Sequence, residues 1–140
     1  DQAHALEHSL EVHLPFLQHI LGEFTLVPLV VGELAPHPVA QVLERLWDRD
    51  ETLIVVSSDL SHYHDYATAQ RLDAATSQAI EELRYEDLNY ERACGRNPLS
   101  GLLYLAHWRR LSAQAIDIRN SGDTAGARDR VVGYGAYIIH

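Results

Sequence analysis

The sequence contains no lysine and no methionine, and it has a single cysteine in 140 residues. Without lysine, neither a Schiff-base mechanism nor a Walker-type phosphate-binding lysine is available within this stretch. Without a second cysteine no internal disulfide can form, which favours a reducing compartment. No apolar run reaches the length of a membrane span. These absences predict a reduced, cytoplasmic protein that does not enter the membrane.

Positive charge is also scarce. The 11 basic residues, all arginine, stand against 20 acidic residues, for a formal net charge of −9. An acidic surface repels phosphate backbones, so nucleic acid is not an expected partner. Hydrophobic residues make up 46% of the chain, enough for one globular domain over residues 1–140. Because the chain lacks methionine and begins inside an amphipathic pattern, we expect it to be a piece of a longer translated product.

The N-terminal pattern is helical. Leucines recur at three- and four-residue steps over residues 3–22, which predicts a helix bent at Pro15 and ended at Gly22. Its polar face carries Glu7 and His8, in an order that differs from the zinc-protease motif His-Glu-x-x-His. A solvated helix face is the simplest interpretation of these side chains.

The remaining periodicity predicts an α/β domain. Continuous apolar runs at 24–31 and 52–56 favour buried parallel strands, and the pattern over 39–47 favours a helix between them. Such a strand, helix, strand unit is a right-handed crossover in nearly all proteins. We therefore expect a layered, mainly parallel central sheet flanked by helices. The other predicted elements are helices over 67–83, 86–93 and 98–111 and strands over 113–119 and 131–139.

Residues 57–64 (SSDLSHYH) place hydroxyls, a carboxylate and imidazoles directly after the second predicted strand. Open α/β sheets hold ligands at the carboxyl ends of their strands. Asp59 and His62 are close enough in sequence for the carboxylate to orient the imidazole, although a turn-capping Asp and an exposed His would give the same pattern. His64 forms a His-x-His pair with His62 that either chelates a metal or leaves His64 at a pocket rim.

Two further stretches allow more than one interpretation. Cys94 precedes a predicted helix start, where a thiolate would bind metal, yet a lone cysteine is most often buried and inert. Residues 120–126 (NSGDTAG) have the composition of a turn-rich loop and lack the spacing of a phosphate cradle. A hydrolase is not supported, since the sequence has no Gly-x-Ser-x-Gly elbow. The histidines assigned to structural or surface positions are His4, His13, His19, His37 and His107.

Four ordered blocks together resemble the Memo family, also called AmmeMemoRadiSam system protein B. Members of that family are about twice as long, and the match is to their C-terminal half. The resemblance implies a fold similar to that of class III extradiol ring-cleaving dioxygenases. The blocks are residues 7–17 (EHSLEVHLPFL), 57–63 (SSDLSHY), 94–98 (CGRNP) and 120–126 (NSGDTAG), with 131–134 (VVGY) after them.

The resemblance also implies roles for individual residues. Cys94 matches a metal ligand that the family joins to two histidines from its other half, so we expect an incomplete site that binds metal weakly or not at all by itself. His62 matches an acid/base histidine, with Asp59 as its partner in the pocket. Glu7 and His8 match residues that line the pocket. The implied substrate contacts are Ser58, Ser121 and Asp123.

The implied function is a non-haem, metal-dependent oxidoreductase. Cys94 stands where the extradiol dioxygenases have a hard carboxylate ligand, and a soft thiolate favours copper or iron in another redox regime. The alternative is a non-catalytic metal- or peptide-binding module in a radical-SAM-associated pathway. The implied partners are a small-molecule substrate or a peptide and a radical-SAM companion protein, and a homo-oligomer is left open.

Overall fold

The computed structural model describes residues 2, 4–5, 7–47, 51–124 and 126–140. These contain α-helices α1 (Leu14–Leu21), α2 (Pro36–Leu46), α3 (Tyr66–Glu81) and α4 (Arg96–Arg109). The strands are β1 (His62–His64), β2 (Ala113–Asn120) and β3 (Val131–Ile139). Single 3₁₀ turns lie at Tyr85–Asp87 and Ser121–Asp123. No helix in the described part of the chain is long and apolar enough to cross a membrane.

The three strands form one antiparallel sheet in the spatial order β1, β3, β2. Strands β2 and β3 run side by side from the pair Ala113 and Ile139 to the pair Asn120 and Gly133. Helices flank this sheet, so the protein is α/β, but the prediction of a mainly parallel sheet is wrong. The sheet instead forms by antiparallel pairing of β3 with β1 on one side and with β2 on the other.

The two predicted parallel strands, residues 24–31 and 52–56, are extended segments that join no ladder among the described residues. A parallel strand needs hydrogen-bonded neighbours and cover on both faces. The first segment lacks that cover, since Val27 is 61% exposed and Leu29 48% exposed. The second is better packed, because Ile54 and Val56 lie against the hydrophobic core. Apolar composition alone therefore overestimated strand formation.

The N-terminal helix is shorter than predicted. It begins at Leu14, and Pro15 occupies its first turn, where the missing amide costs no hydrogen bond, so the proline starts this helix and does not bend it. Gly22, with φ of 70°, ends the helix as predicted. The described residues between 4 and 13 form turns, apart from residues 7 and 8, which have no regular structure, and residues 3 and 6 lie outside the described part.

The other helices agree with the periodicity to within a few residues, apart from 86–93, where a 3₁₀ turn covers only residues 86–87 and the rest is turn and loop. The Asp65 carboxylate caps α3 by accepting a hydrogen bond from the Thr68 amide at 3.1 Å. Helix α4 is the most buried and packs on α2. Leu103 on α4 and Ile80 on α3 belong to the core cluster that also contains Leu60, which carries the packing to residues 57–64.

Candidate metal centre

The segment that leads into β1 is fixed by core packing and backbone hydrogen bonds. Leu60 is 2% exposed within the core, and its amide donates to the Gly133 carbonyl at 2.8 Å. The Gly133 amide donates in return to the Ser61 carbonyl at 2.8 Å. The Ser61 amide donates to Oδ1 of Asp73 at 2.9 Å. Asp59 and His62 therefore project from a well-anchored stretch of backbone.

Strand β1 contains an irregularity at its centre. His62 pairs with Val132 and His64 with Val131, so an advance of two residues along β1 corresponds to an advance of one residue along β3. Tyr63 takes up the extra residue with φ of 61°, and its side chain is 66% exposed. A left-handed conformation costs a non-glycine residue about 1–2 kcal/mol. This bulge re-aims the side chains on either side of it, so His62 and His64 are not equivalent positions of a regular strand.

Cys94 reaches the same place from the start of α4. The Gly95 amide donates to Oγ of Ser58 at 2.9 Å, joining the helix start to residues 57–58. The two backbones approach so closely that a Cβ atom at position 95 would lie 2.6 Å from the Ser57 carbonyl oxygen. The glycine after Cys94 thus permits the contact that brings the sulfur to the segment before β1.

Three potential metal ligands converge at this contact. One side-chain donor atom each from Asp59, His62 and Cys94 lies within 4.8 Å of the other two. Nε2 of His62 is 3.3 Å from Oδ2 of Asp59, and the Asp59 amide donates to Sγ of Cys94 at 3.2 Å. Cys94 is exposed, in contrast to the buried, inert cysteine that its residue type favours.

A thiolate, an imidazole and a carboxylate form a donor set that suits first-row transition metals. Three protein donors also leave coordination positions for water or substrate. The sequence assigned only Cys94 to a metal, whereas the structure places Asp59 and His62 within ligand distance of its sulfur. Among the described residues, this is the one group of three or more His, Cys, Asp or Glu side chains with that spacing.

Glu7 and His8 make local contacts. The Glu7 carboxylate accepts hydrogen bonds from the amides of His8 at 2.9 Å and Ser9 at 3.0 Å. These backbone donors lower the pKa of Glu7. Both side chains are exposed, and within the described residues no hydrogen bond or ion pair joins either of them to the cluster. Their place in a pocket stays a prediction.

The three predicted substrate contacts have structural partners. Oγ of Ser58 donates to the Asp59 carbonyl at 2.7 Å and lies 3.8 Å from Sγ of Cys94. Oγ of Ser121 accepts from the Val132 amide at 3.1 Å. Asp123 accepts hydrogen bonds from the Tyr66 hydroxyl and from the Asn120 amide, and these bonds lower its pKa. Ser58 is therefore beside the cluster, while the substrate roles of all three stay predictions.

Sequence reasoning missed His13. Its Nε2 is 2.9 Å from Oγ of Ser57, the residue two before Asp59, although His13 was assigned to a structural or surface position. The two residues are 44 apart in sequence, so no local pattern connects them. The only signal was that His13 lies within one of the four blocks, residues 7–17. A second imidazole thus contacts the polar segment that carries the cluster.

The similarity of this chain to known proteins extends over nearly its whole length. A family model described as "Memo-like protein" matches residues 1–138. A MEMO1 family protein of Saccharolobus islandicus is 33% identical over 96% of this chain and 52% of its own length. A MEMO1 family protein of Aeropyrum pernix is 33% identical over 97% of this chain and 53% of its own length. The chain therefore spans about half the length of these curated relatives.

Proposed function

Since this chain belongs to the Memo family, we propose that it carries a transition-metal-centred pocket whose ligands include Cys94. The observation that supports it is the convergence of Asp59, His62 and Cys94 within 4.8 Å. These residues come from two elements held together by the Ser58 and Gly95 contact. A cluster built by tertiary contacts, rather than by neighbours on one helix, is what a ligand-binding role requires.

The metal proposed is copper or iron. A thiolate ligand with an imidazole nearby selects softer transition metals over magnesium or calcium, which prefer oxygen. When bound, such an ion supplies Lewis acidity and one-electron redox chemistry. Cys94 anchors the ion, and Asp59 accepts from the His62 ring and fixes its orientation.

The reaction class proposed is a metal-dependent oxidation related to that of class III extradiol dioxygenases. In it, His62 holds or moves a proton at Nε2, the atom 3.3 Å from the Asp59 carboxylate. Because the chain spans about half the length of its curated relatives, the remaining ligands and the substrate pocket of the whole protein belong to this proposal as well.

The second candidate is a non-catalytic module that binds a metal or a peptide in a radical-SAM-associated pathway. The exposure of the site favours it. Cys94 is exposed, and Tyr63 beside His62 is 66% exposed with the Arg130 guanidinium 5.1 Å from its ring. An exposed aromatic and arginine pair is a frequent anchor for protein or peptide partners.

Metal binding tests the proposed centre directly. We expect the whole protein to bind Fe(II) or Cu(I), with Cys94→Ala weakening the affinity at least about tenfold because the soft ligand is lost. Titration of the purified whole protein, followed by metal analysis after desalting, measures this. An unchanged affinity in Cys94→Ala would remove the sulfur from the site.

His62 and His64 provide a matched pair for catalysis. With metal bound, His62→Ala should lower turnover by about 10²–10⁴-fold, the usual contribution of a positioned acid or base, while His64→Ala keeps it. Oxygen uptake by the whole protein with a panel of catechols and small thiols measures turnover. Loss of metal from His62→Ala would make His62 a ligand, and no uptake by the fully metallated wild type would favour the binding module.

A further inference from the structure

Helix α3 carries a buried carboxylate that the metal cluster does not include. Asp73 is 2% exposed, and its Oδ1 accepts the Ser61 amide at 2.9 Å. Burying a carboxylate is costly unless it is paired or hydrogen-bonded. A buried acid whose hydrogen bond is made to another element's backbone fixes the position of that element.

Gly133 on β3 packs directly against the Asp73 carboxylate. A Cβ atom at Gly133 on β3 would lie 2.1 Å from Oδ2 of Asp73. Gly133 itself exchanges two backbone hydrogen bonds with the segment ahead of β1, at the Leu60 amide and the Ser61 carbonyl. The carboxylate therefore lies against the strand that holds this segment and completes its hydrogen bonding.

Ser61 lies between two of the three cluster residues. Asp59 precedes it by two positions and His62 follows it directly. The Asp59 amide is also the group that donates to Sγ of Cys94 at 3.2 Å. A displacement of the Ser61 amide would move both the carboxylate and the imidazole relative to the sulfur, which is held separately by the start of α4.

We propose that Asp73 is a positioning residue: by accepting the Ser61 amide it sets the separation of Asp59 and His62 from Cys94. This role presupposes the metal centre proposed above. The competing explanation is that Asp73 only stabilises the core. The two explanations predict different effects of removing the carboxylate. If Asp73 only stabilises the core, the whole fold loses stability. If Asp73 is a positioning residue, the geometry of the cluster changes in a molecule that stays folded.

Three variants of α3 separate these roles. Asp73→Ala removes the acceptor for the Ser61 amide. Asp73→Asn removes the charge and keeps an acceptor oxygen in the same place, so it should restore the contact. Ser77→Ala is the matched control, because Ser77 lies one turn further on the same helix and is also buried, at 3% exposure.

Two measurements are made on each variant of the whole protein. The first is Fe(II) affinity, which we expect Asp73→Ala to weaken by about tenfold, because the Asp59 amide that donates to the ligand sulfur of Cys94 would lose its position. The second is amide hydrogen exchange of Asp59 in the metal-free chain, which should speed up in Asp73→Ala as the contact to Cys94 loosens. Asp73→Asn and Ser77→Ala should both stay near wild type in affinity and exchange.

Wild-type affinity and wild-type Asp59 exchange in a folded Asp73→Ala would overturn the positioning role. So would equal losses in Ser77→Ala, which would show a general effect of core damage. If the wild type bound no Fe(II) or Cu(I), the metal proposal would fail, and exchange at Asp59 would still decide whether Asp73 holds the segment. If Asp73→Ala does not fold, Asp73→Leu takes its place, since leucine has the branched shape without the acceptor.

Discussion

At the scale of single residues, the site depends on two positions that carry no side chain. Gly95 lets the start of α4 approach the Ser57 carbonyl, and Gly133 leaves space for the Asp73 carboxylate. In both cases the nearest atom to an added Cβ would lie below 3.0 Å, a distance that side chains do not tolerate without movement. Close backbone approach is a use of glycine that hydropathy patterns do not reveal.

Gly133→Ala tests this at the core side of the site. The added methyl group would overlap Oδ2 of Asp73, so we expect a loss of about 1–3 kcal/mol in the free energy of unfolding, as for other overpacked cores. Gly32→Ala is the control, because its Cβ would meet no atom within 4 Å, and its change should stay within about 0.5 kcal/mol. Urea denaturation measures both, and equal midpoints for the two variants would contradict the overlap.

At the scale of elements, α3 links the sheet to the site. Its N-terminus follows β1 directly, Asp65 caps it, and Asp73 in its middle reaches back to Ser61. The hydrogen bonds from Thr68 lower the pKa of Asp65. A carboxyl with a lowered pKa in the folded state stabilises the fold above its ordinary pKa, and this contribution is lost as the pH falls through the folded-state pKa.

Asp65→Asn should therefore separate capping from titration. Asparagine caps helices about as well as aspartate, so the melting temperature near neutral pH should change little. Below about pH 4, where the wild type loses the benefit of the charged cap, the variant should lose less stability. Thermal melts at neutral pH and at about pH 3 measure the difference. Exposed Asp129 supplies the control Asp129→Asn, and an identical acid response in both variants would argue against the cap.

The spacing of apolar residues correctly predicted those elements whose apolar side chains pack against other elements of the described chain. Helices α2, α3 and α4 and strands β2 and β3 lie within a few residues of their predicted positions, because each buries one face on another. Residues 24–31 and 52–56 share the composition of strands but have no ladder partner there, so the predicted parallel crossover is wrong. A strand is defined by its neighbour, which the sequence of the segment does not contain.

The candidate site was predictable only in part. Asp59 and His62 lie three apart, so their contact follows from local sequence. Cys94 lies 35 residues from Asp59 and entered through the family resemblance, since no pattern links the two. Asp73 and His13 escaped notice because an acid in a helix and a histidine near a helix start carry no local sign of their distant partners, Ser61 and Ser57.

At the scale of the whole molecule, apolar side chains are buried in the core but exposed in one segment of the described chain. The core joins α2, α3 and α4 to the sheet, whereas residues 24–30 expose a row of large apolar side chains interrupted by Thr25 and Pro28. Contiguous exposed apolar surface is uncommon on folded proteins, while single exposed side chains are ordinary. The exposed members of this row are Phe24, Leu26, Val27, Leu29 and Val30.

This row predicts dye binding by the folded chain. The double substitution Val27→Ser and Val30→Ser should lower the fluorescence of a hydrophobic dye, because it interrupts the row. Each substitution should change the free energy of unfolding by no more than about 0.5 kcal/mol, since both side chains are exposed. Val42→Ser, at an exposed position on α2, is the control and should leave the fluorescence unchanged. Undiminished fluorescence in the double variant would place the exposed apolar surface elsewhere.

Because Tyr63 adopts a left-handed backbone conformation, deletion and substitution of this residue should have different effects on β1. Removing Tyr63 would restore an even ladder with β3 and turn the His64 side chain to the opposite face of the sheet. Substituting the tyrosine would keep the chain length and with it the direction of the imidazole at 64. The number of residues in β1 is thus a tighter constraint on His64 than the chemistry of residue 63.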